Sequence, residues 1–296
     1  MDLPDEIWWI IFGFVDSKDI RSLYRVCRRW KSLCQNSVRF DTLNLMDYPR
    51  IFHEELIHNI YQINHIVWKD PGNKQNLQKF INVKSIEIWQ CSCPKLLYWV
   101  GKQQQLVKLK LKMVNLHNLF EISKCNKLIS IILEEDKEYN EPNAVFKKLN
   151  NLKTLKLYNI SLRDYNMVGL SKNLTEIVFV YAWNLSDTTL MHIGQQCSFL
   201  ERITLSYNFI MTELGIDALA QGCSLLKYAK ITACYEIDDY RCFINLIQQT
   251  QIRDYKHLIL DDLVTTKVVL STINISSELA TIIRKLFFRA TNYSHF

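Results

Sequence analysis

Cys197-Ser198-Phe199-Leu200-Glu201-Arg202-Ile203-Thr204-Leu205-Ser206-Tyr207-Asn208 is the stretch that decides the fold. Its apolar positions fall as Leu200-x-x-Ile203-x-Leu205, and the same spacing recurs at Leu106, Leu109, Leu111 and at Leu152, Leu155, Leu157. The central apolar residue returns at Leu43, Ile66, Ile86, Leu109, Ile131, Leu155, Ile177, Ile203, Ala229 and Leu258, in steps of 23, 20, 23, 22, 24, 22, 26, 26 and 29 residues. A period in the twenties with this pattern predicts a stacked solenoid. Each repeat supplies one short strand to a parallel sheet on the concave side and returns by a helix on the convex side. One repeat cannot bury its own apolar face, so stacking supplies the core.

The repeats richest in detail run from residue 174 onward. Leu185-Ser186-Asp187 and Leu190 precede Cys197. Asn208, Leu214, Ile216, Leu219, Cys223 and Leu226 follow it, and the next repeat carries Ala229, Ile231, Cys234 and Ile237-Asp238. These residues resemble the cysteine-containing class of leucine-rich repeat, and Cys125 holds the same place before Leu128. The cysteines lie about one repeat apart rather than in Cys-x-x-Cys pairs, so they read as small buried hydrophobes and not as metal ligands. Cys91-x-Cys93 is too closely spaced for a zinc knuckle and reads as the turn after the strand around Ile86 and Ile88. The first repeats, Leu43 to Trp68, are degenerate, as terminal repeats tend to be. Residues 276 to 288 read as an amphipathic helix that starts at a Ser276 cap, with Leu279, Ile282, Ile283 and Leu286 on one face.

The N-terminus is different. Leu3-Pro4-Asp5-Glu6 opens it, an apolar run follows, and Val26-Cys27-Arg28-Arg29-Trp30 closes it. Pro4, Asp5 and Glu6 suit a helix start. Ile7, Ile10, Ile11 and Phe14 make one apolar face, and Trp8, Phe12 and Val15 make a second, so this helix must be covered on more than one side. Asp16 or Ser17 suits the cap of a second helix, with Asp19 completing a capping box. Ile20, Leu23, Val26, Cys27, Trp30 and Leu33 continue at helical spacing. Three short helices in about 40 residues cannot hide this surface alone.

This stretch resembles an F-box, the module that attaches a protein to a Skp-type adaptor and through it to a cullin-RING ubiquitin ligase. The expected fold class is therefore α/β: a three-helix F-box over 1–40, a leucine-rich-repeat solenoid over 41–270 and a capping helix over 271–296. The resemblance implies a substrate-recognition subunit, a monomer within a hetero-complex, that is itself not an enzyme. It implies adaptor contacts from Leu3, Pro4, Ile10, Ile11, Phe12, Leu23, Cys27 and Trp30. The alternative is a non-catalytic protein-binding scaffold, or an effector that competes for the adaptor, whose F-box assembles no ligase.

Composition agrees with a binding protein. The net charge of +6, from 36 basic and 30 acidic residues, is modest for 296 residues and does not argue for nucleic acid. No apolar run is long enough to span a bilayer. Ile7 to Val15 is flanked by Asp2, Asp5, Glu6 and Asp16, with no basic segment before it, so it does not read as a signal peptide. The expected setting is cytoplasmic or nuclear, with the nine cysteines as thiols. There is no phosphate loop, His-Glu-x-x-His or nucleophile elbow, and no cofactor or metal is expected.

The period-two rule places the residues between the apolar positions on the concave face. The expected substrate-contacting set is Glu87, Trp89, Lys108, Lys110, Lys112, Lys156, Tyr158, Val178, Val180, Ser206 and Lys230. Ile132, Glu134, Thr204 and Thr232 share that face. Aromatic and apolar residues rimmed by charge match the composition of binding hot spots. Lys108, Lys110, Lys112 and Lys156 form either a basic stripe for an acidic or phosphorylated segment or an ordinary solvated lysine face.

Overall fold

The structure, a computed structural model, describes residues 3–15, 19–37, 42–45, 63–69, 83–116, 118–135, 145–239, 241–252 and 258–261. The expected helix at 276–288 lies outside the described residues. So do Asp16 and Ser17.

Ten strands form one sheet in sequence order, every neighbouring pair parallel. They are β1 (Thr42–Asn44), β2 (His65–Lys69), β3 (Ser85–Cys91), β4 (Lys108–Val114), β5 (Ser130–Glu134), β6 (Thr154–Tyr158), β7 (Glu176–Val180), β8 (Arg202–Ser206), β9 (Tyr228–Thr232) and β10 (Leu258–Asp261). The column Leu43, Ile66, Ile86, Leu109, Ile131, Leu155, Ile177, Ile203, Ala229, Leu258 is in register from one edge to the other. From Ile66 onward that column is buried, and so is a second one two residues on, Trp68, Ile88, Leu111, Leu133, Leu157, Phe179, Leu205, Ile231 and Leu260. In-register stacking gives each rung the apolar face of its neighbour, which is how a repeat without a core of its own acquires one.

The return path follows the repeat length. The two 26-residue steps carry ten-residue α-helices at Asp187–Gln196 and Glu213–Gly222, and the 29-residue step carries a nine-residue one at Arg241–Gln249. The 22-residue steps hold only 3-10 turns, at Leu119–Lys124 and Asp164–Met167. The expected helical return is thus α-helical in these longer repeats and 3-10 in these shorter ones. With four residues fewer there is room for a tighter, shorter return and none for three α-helical turns.

The helices are tied from rung to rung. Ser186 and Thr212 cap theirs by accepting from the Thr188 and Leu214 backbone N–H groups. Each cap is gripped by an aspartate of the preceding repeat: the Ser186 hydroxyl donates to Asp164 at 2.6 Å and the Thr212 hydroxyl to Asp187 at 2.6 Å. Gly194 and Gly222 let neighbouring helices touch backbone to backbone; a Cβ on Gly222 would stand 1.9 Å from the Gly194 carbonyl oxygen. Asn208, fully buried, donates to the Phe179 carbonyl and accepts from the Ala182 N–H, both at 3.2 Å. Cys125, Cys197 and Cys223 are buried and point their thiols at carbonyls one repeat back. Cys91 ends β3 rather than opening the turn, and its sulfur accepts from the Cys93 N–H.

The N-terminal helices are α1 (Asp5–Gly13), α2 (Ile20–Val26) and α3 (Arg28–Ser37). The second begins after Asp19, whose side chain makes no capping bond; the cap expected at Asp16 or Ser17 lies outside the described residues. Phe12 and Leu33 are buried between the helices, with Trp8, Leu23 and Trp30 packed on them. Val15 packs against the solenoid core. Among the described residues no helix is long and apolar enough to cross a membrane.

Candidate functional site

The two apolar faces of α1 have different fates. Trp8, Phe12 and Trp30 form an aromatic cluster with centroid separations of 4.6 to 5.6 Å. Phe12 is 1% exposed, so it holds the bundle and cannot face a partner as expected. Leu23 and Trp30 are half-buried beside it and serve packing first. The other face, Ile7, Ile10, Ile11 and Phe14, stands in water, with Phe14 86% exposed. Leu3, Pro4 and Val26 are exposed too. Arg29 fixes the start of this surface: its guanidinium donates to both the Asp5 carboxylate, at 2.7 Å, and the Leu3 carbonyl, at 3.0 Å. Cys27 is not inside a helix. It is the extended junction between α2 and α3, exposed, with its sulfur accepting from the Trp30 N–H.

On the concave face Glu87, Trp89, Lys110, Lys112, Lys156, Tyr158, Val180 and Lys230 are half-buried and Lys108 is exposed. Two expected members are corrected. Ser206 is 5% exposed and its hydroxyl is hydrogen-bonded to that of Thr232 at 2.7 Å, because the register stacks the two directly. Val178 is closed in as well.

Of the two readings of the lysines, three of the four side chains fit the paired, solvated face. Parallel rungs stand about 4.8 Å apart, so charges one period apart meet. Lys110 pairs with Glu87 at 2.7 Å, Lys112 with Glu134 at 2.8 Å and Lys156 with Glu176 at 2.8 Å. Trp89 sits in this network. Its indole N–H donates to Glu87 at 2.7 Å, and Lys110 and Lys112 each lie 5.5 Å from its ring centre. Such half-exposed pairs each contribute ~0–1 kcal/mol to stability. Their larger consequence is that Lys110, Lys112 and Lys156 each carry a carboxylate partner, while Lys108 stands exposed beside them.

Just beyond the strands lies a surface that the period-two reading passes over. A left-handed residue recurs at this level in six of the described repeats: one residue before the end of β3 and β4, at Gln90 and Met113, and directly after β6 to β9, at Asn159, Tyr181, Tyr207 and Ala233. Asparagine suits that conformation and tyrosine does not, yet Tyr181 and Tyr207 occupy it and stack at 4.3 Å, nearly parallel. Two residues on, Trp183, Phe209 and Tyr235 make a second row, with steps of 6.3 and 6.0 Å. Trp183 and Tyr235 are among the most exposed rings of the solenoid. At one end of this rim Glu134, Tyr158, Asn159, Val180, Tyr181 and Trp183 line a cleft of about 430 Å³. The signal in the sequence is Tyr181-x-Trp183 followed, one 26-residue period later, by Tyr207-x-Phe209.

The buried thiols are poor nucleophiles. Burial pushes Cys197 and Cys223 up to about 12, and burial with the nearby Glu121 carboxylate does the same for Cys125. Among the described residues no three His, Cys, Asp or Glu side chains converge on one point.

A family model described as F-box-like matches residues 1–40. A crystal structure of an internalin (inlF) from Listeria monocytogenes superimposes with a TM-score of 0.57 at 14% identity, covering 83% of this chain and 70% of its own. That likeness is one of fold, and the fold is the leucine-rich-repeat solenoid. A crystal structure of the Rad7 and Elc1 complex in yeast aligns over 93% of this chain and 91% of its own at 13% identity, with a TM-score of 0.38, too low to establish a common fold. Among curated proteins no sequence matches.

Proposed function

We propose that this chain is the substrate-recognition subunit of a Skp-cullin-F-box ubiquitin ligase. The module at 1–40 binds the Skp-type adaptor, the solenoid over 41–270 holds a protein substrate, and 271–296 closes its open end. The observation that carries the reading is the coincidence of the F-box-like match with an apolar helix face left uncovered: Ile7, Ile10, Ile11 and Phe14 stand in water on the segment that the family model covers. An exposed apolar patch rimmed by polar residues is characteristic of a protein interface. The chain itself performs no chemistry in this reading. It raises the effective concentration of a substrate lysine at a ligase assembled from other subunits.

The test is co-purification with a Skp-type adaptor, wild type beside Leu3→Ala/Pro4→Ala. One-to-one binding lost in the variant supports the proposal. A folded wild-type chain that does not bind overturns it in favour of the second reading, a leucine-rich scaffold whose F-box is only an N-terminal cap. Val15, packed on the solenoid core, is the observation that favours that reading.

A further inference from the structure

The outward aromatic rings of this solenoid divide into two kinds. Trp89 has Lys110 and Lys112 near its ring, Tyr228 has Arg202 over its face at 4.4 Å, and Tyr98 has Lys102 at 4.4 Å and Lys124 at 5.9 Å. A ring face carries negative electrostatic potential and attracts a cation within about 6 Å. At these sites the chain satisfies that attraction with its own basic residues. At the cleft it does not. Among the described residues no lysine or arginine lies over Tyr158, Tyr181 or Trp183, although all three line one concavity and Trp183 is 48% exposed.

The nearby lysines are held in ion pairs rather than over these rings. Lys112 is paired with the Oε1 of Glu134, and Lys156 with Glu176. Glu134 also lines the cleft, and its side chain, 38% exposed, has its other carboxylate oxygen left to accept. Three aromatic side chains and one carboxylate line a site suited to a positive charge on an apolar stem, since the stem packs on the rings while the charge meets the rings and the carboxylate. The row Tyr207, Phe209 and Tyr235 extends from it across the next two repeats and suits the chain that carries such a side chain.

We propose that the cleft between Tyr158, Tyr181, Trp183 and Glu134 takes the cationic side chain of a lysine or arginine presented by a protein segment lying along the aromatic rim. The inference rests on the reading of the solenoid as a protein receptor and names the chemistry that it selects.

The test titrates the purified full chain with acetylated pentapeptides that differ only at the central residue: arginine, lysine, or citrulline, which keeps the shape of arginine without its charge. Binding is followed through the indole N–H resonance assigned by its loss in Trp183→Phe. The charged peptides are expected to bind at least about tenfold more tightly than the citrulline peptide. Glu134→Gln should narrow that gap, and Tyr181→Ala should abolish binding with an unchanged thermal melt. Equal affinity for the citrulline peptide would show that the cleft selects shape and would overturn the proposal, as would a titration in which no peptide moves the resonance. The adaptor is absent from this titration. A null result here therefore leaves adaptor binding standing, and a chain that ignores the adaptor can still bind the peptides.

Discussion

The N-terminal bundle and the solenoid use the same kinds of side chain to opposite ends. In the solenoid each described rung packs on its neighbour, and from Ile66 to Leu260 both inward columns are at most 5% exposed. In the bundle only Phe12 and Leu33 reach that state among the described residues, while Ile7, Ile10, Ile11, Phe14 and Val26 stay in water. Fully burying one such side chain is worth about 1.5–3 kcal/mol, so the bundle leaves unused most of what a covering surface would supply. An apolar sequence does not by itself make a core. A core needs a second surface of matching shape, and repetition guarantees one where a lone three-helix module does not.

The largest expected effect breaks the bundle alone. Phe12→Ala removes the side chain on which Trp8 and Trp30 pack, a change that costs about 3–5 kcal/mol. Hydrogen exchange should show α1 to α3 losing protection while β5 to β9 keep theirs. Equal loss in both would mean that they unfold as one unit.

Gly222→Ala strikes the other side of the comparison. Its new methyl meets the Gly194 carbonyl, a backbone atom that cannot rotate away, and forcing the two helices apart costs about 3 kcal/mol. The solenoid melt should fall. An unchanged melt would show that the contact between these helices is looser than their backbones indicate.

Asn208→Ala is expected to cost less, about 2 kcal/mol, because it strands the Phe179 carbonyl and the Ala182 N–H inside the core. A denaturant midpoint shifted with no change in slope would confirm it. Asn208→Asp should be worse, since the carboxylate accepts but cannot donate to Phe179.

The repeating part of the molecule was legible because one residue per rung is enough to find the next. The column from Leu43 to Leu258 follows from counting alone. Three things were not legible from the same pattern. Lys110 and Lys112 look like a positive stripe until Glu87 and Glu134, one period away, are laid beside them. Ser206 has the parity of a surface residue, but parity does not reveal that Thr232 stacks on it. The aromatic rim escaped because the left-handed residue at Tyr181 and Tyr207 ends the alternation, so the period-two rule ceases to say where Trp183 and Phe209 lie. In the bundle both faces of α1 are apolar. Hydrophobicity could not tell that Phe12 goes inside and Phe14 outside.

That last pair gives the smallest expected effect on stability and the sharpest test of the comparison. Ile10→Ser and Phe14→Ser change side chains that are 59% and 86% exposed, so each should alter the melt by less than about 0.5 kcal/mol. Two residues from Phe14, the substitution of Phe12 should do several times more. If exposed Phe14 proves as costly to replace as buried Phe12, then α1 lies against the rest of the chain, and the uncovered face exists only in this arrangement. If its replacement is silent in the isolated chain and loses the adaptor in the co-purification, then the face is covered by the partner and by nothing within this molecule.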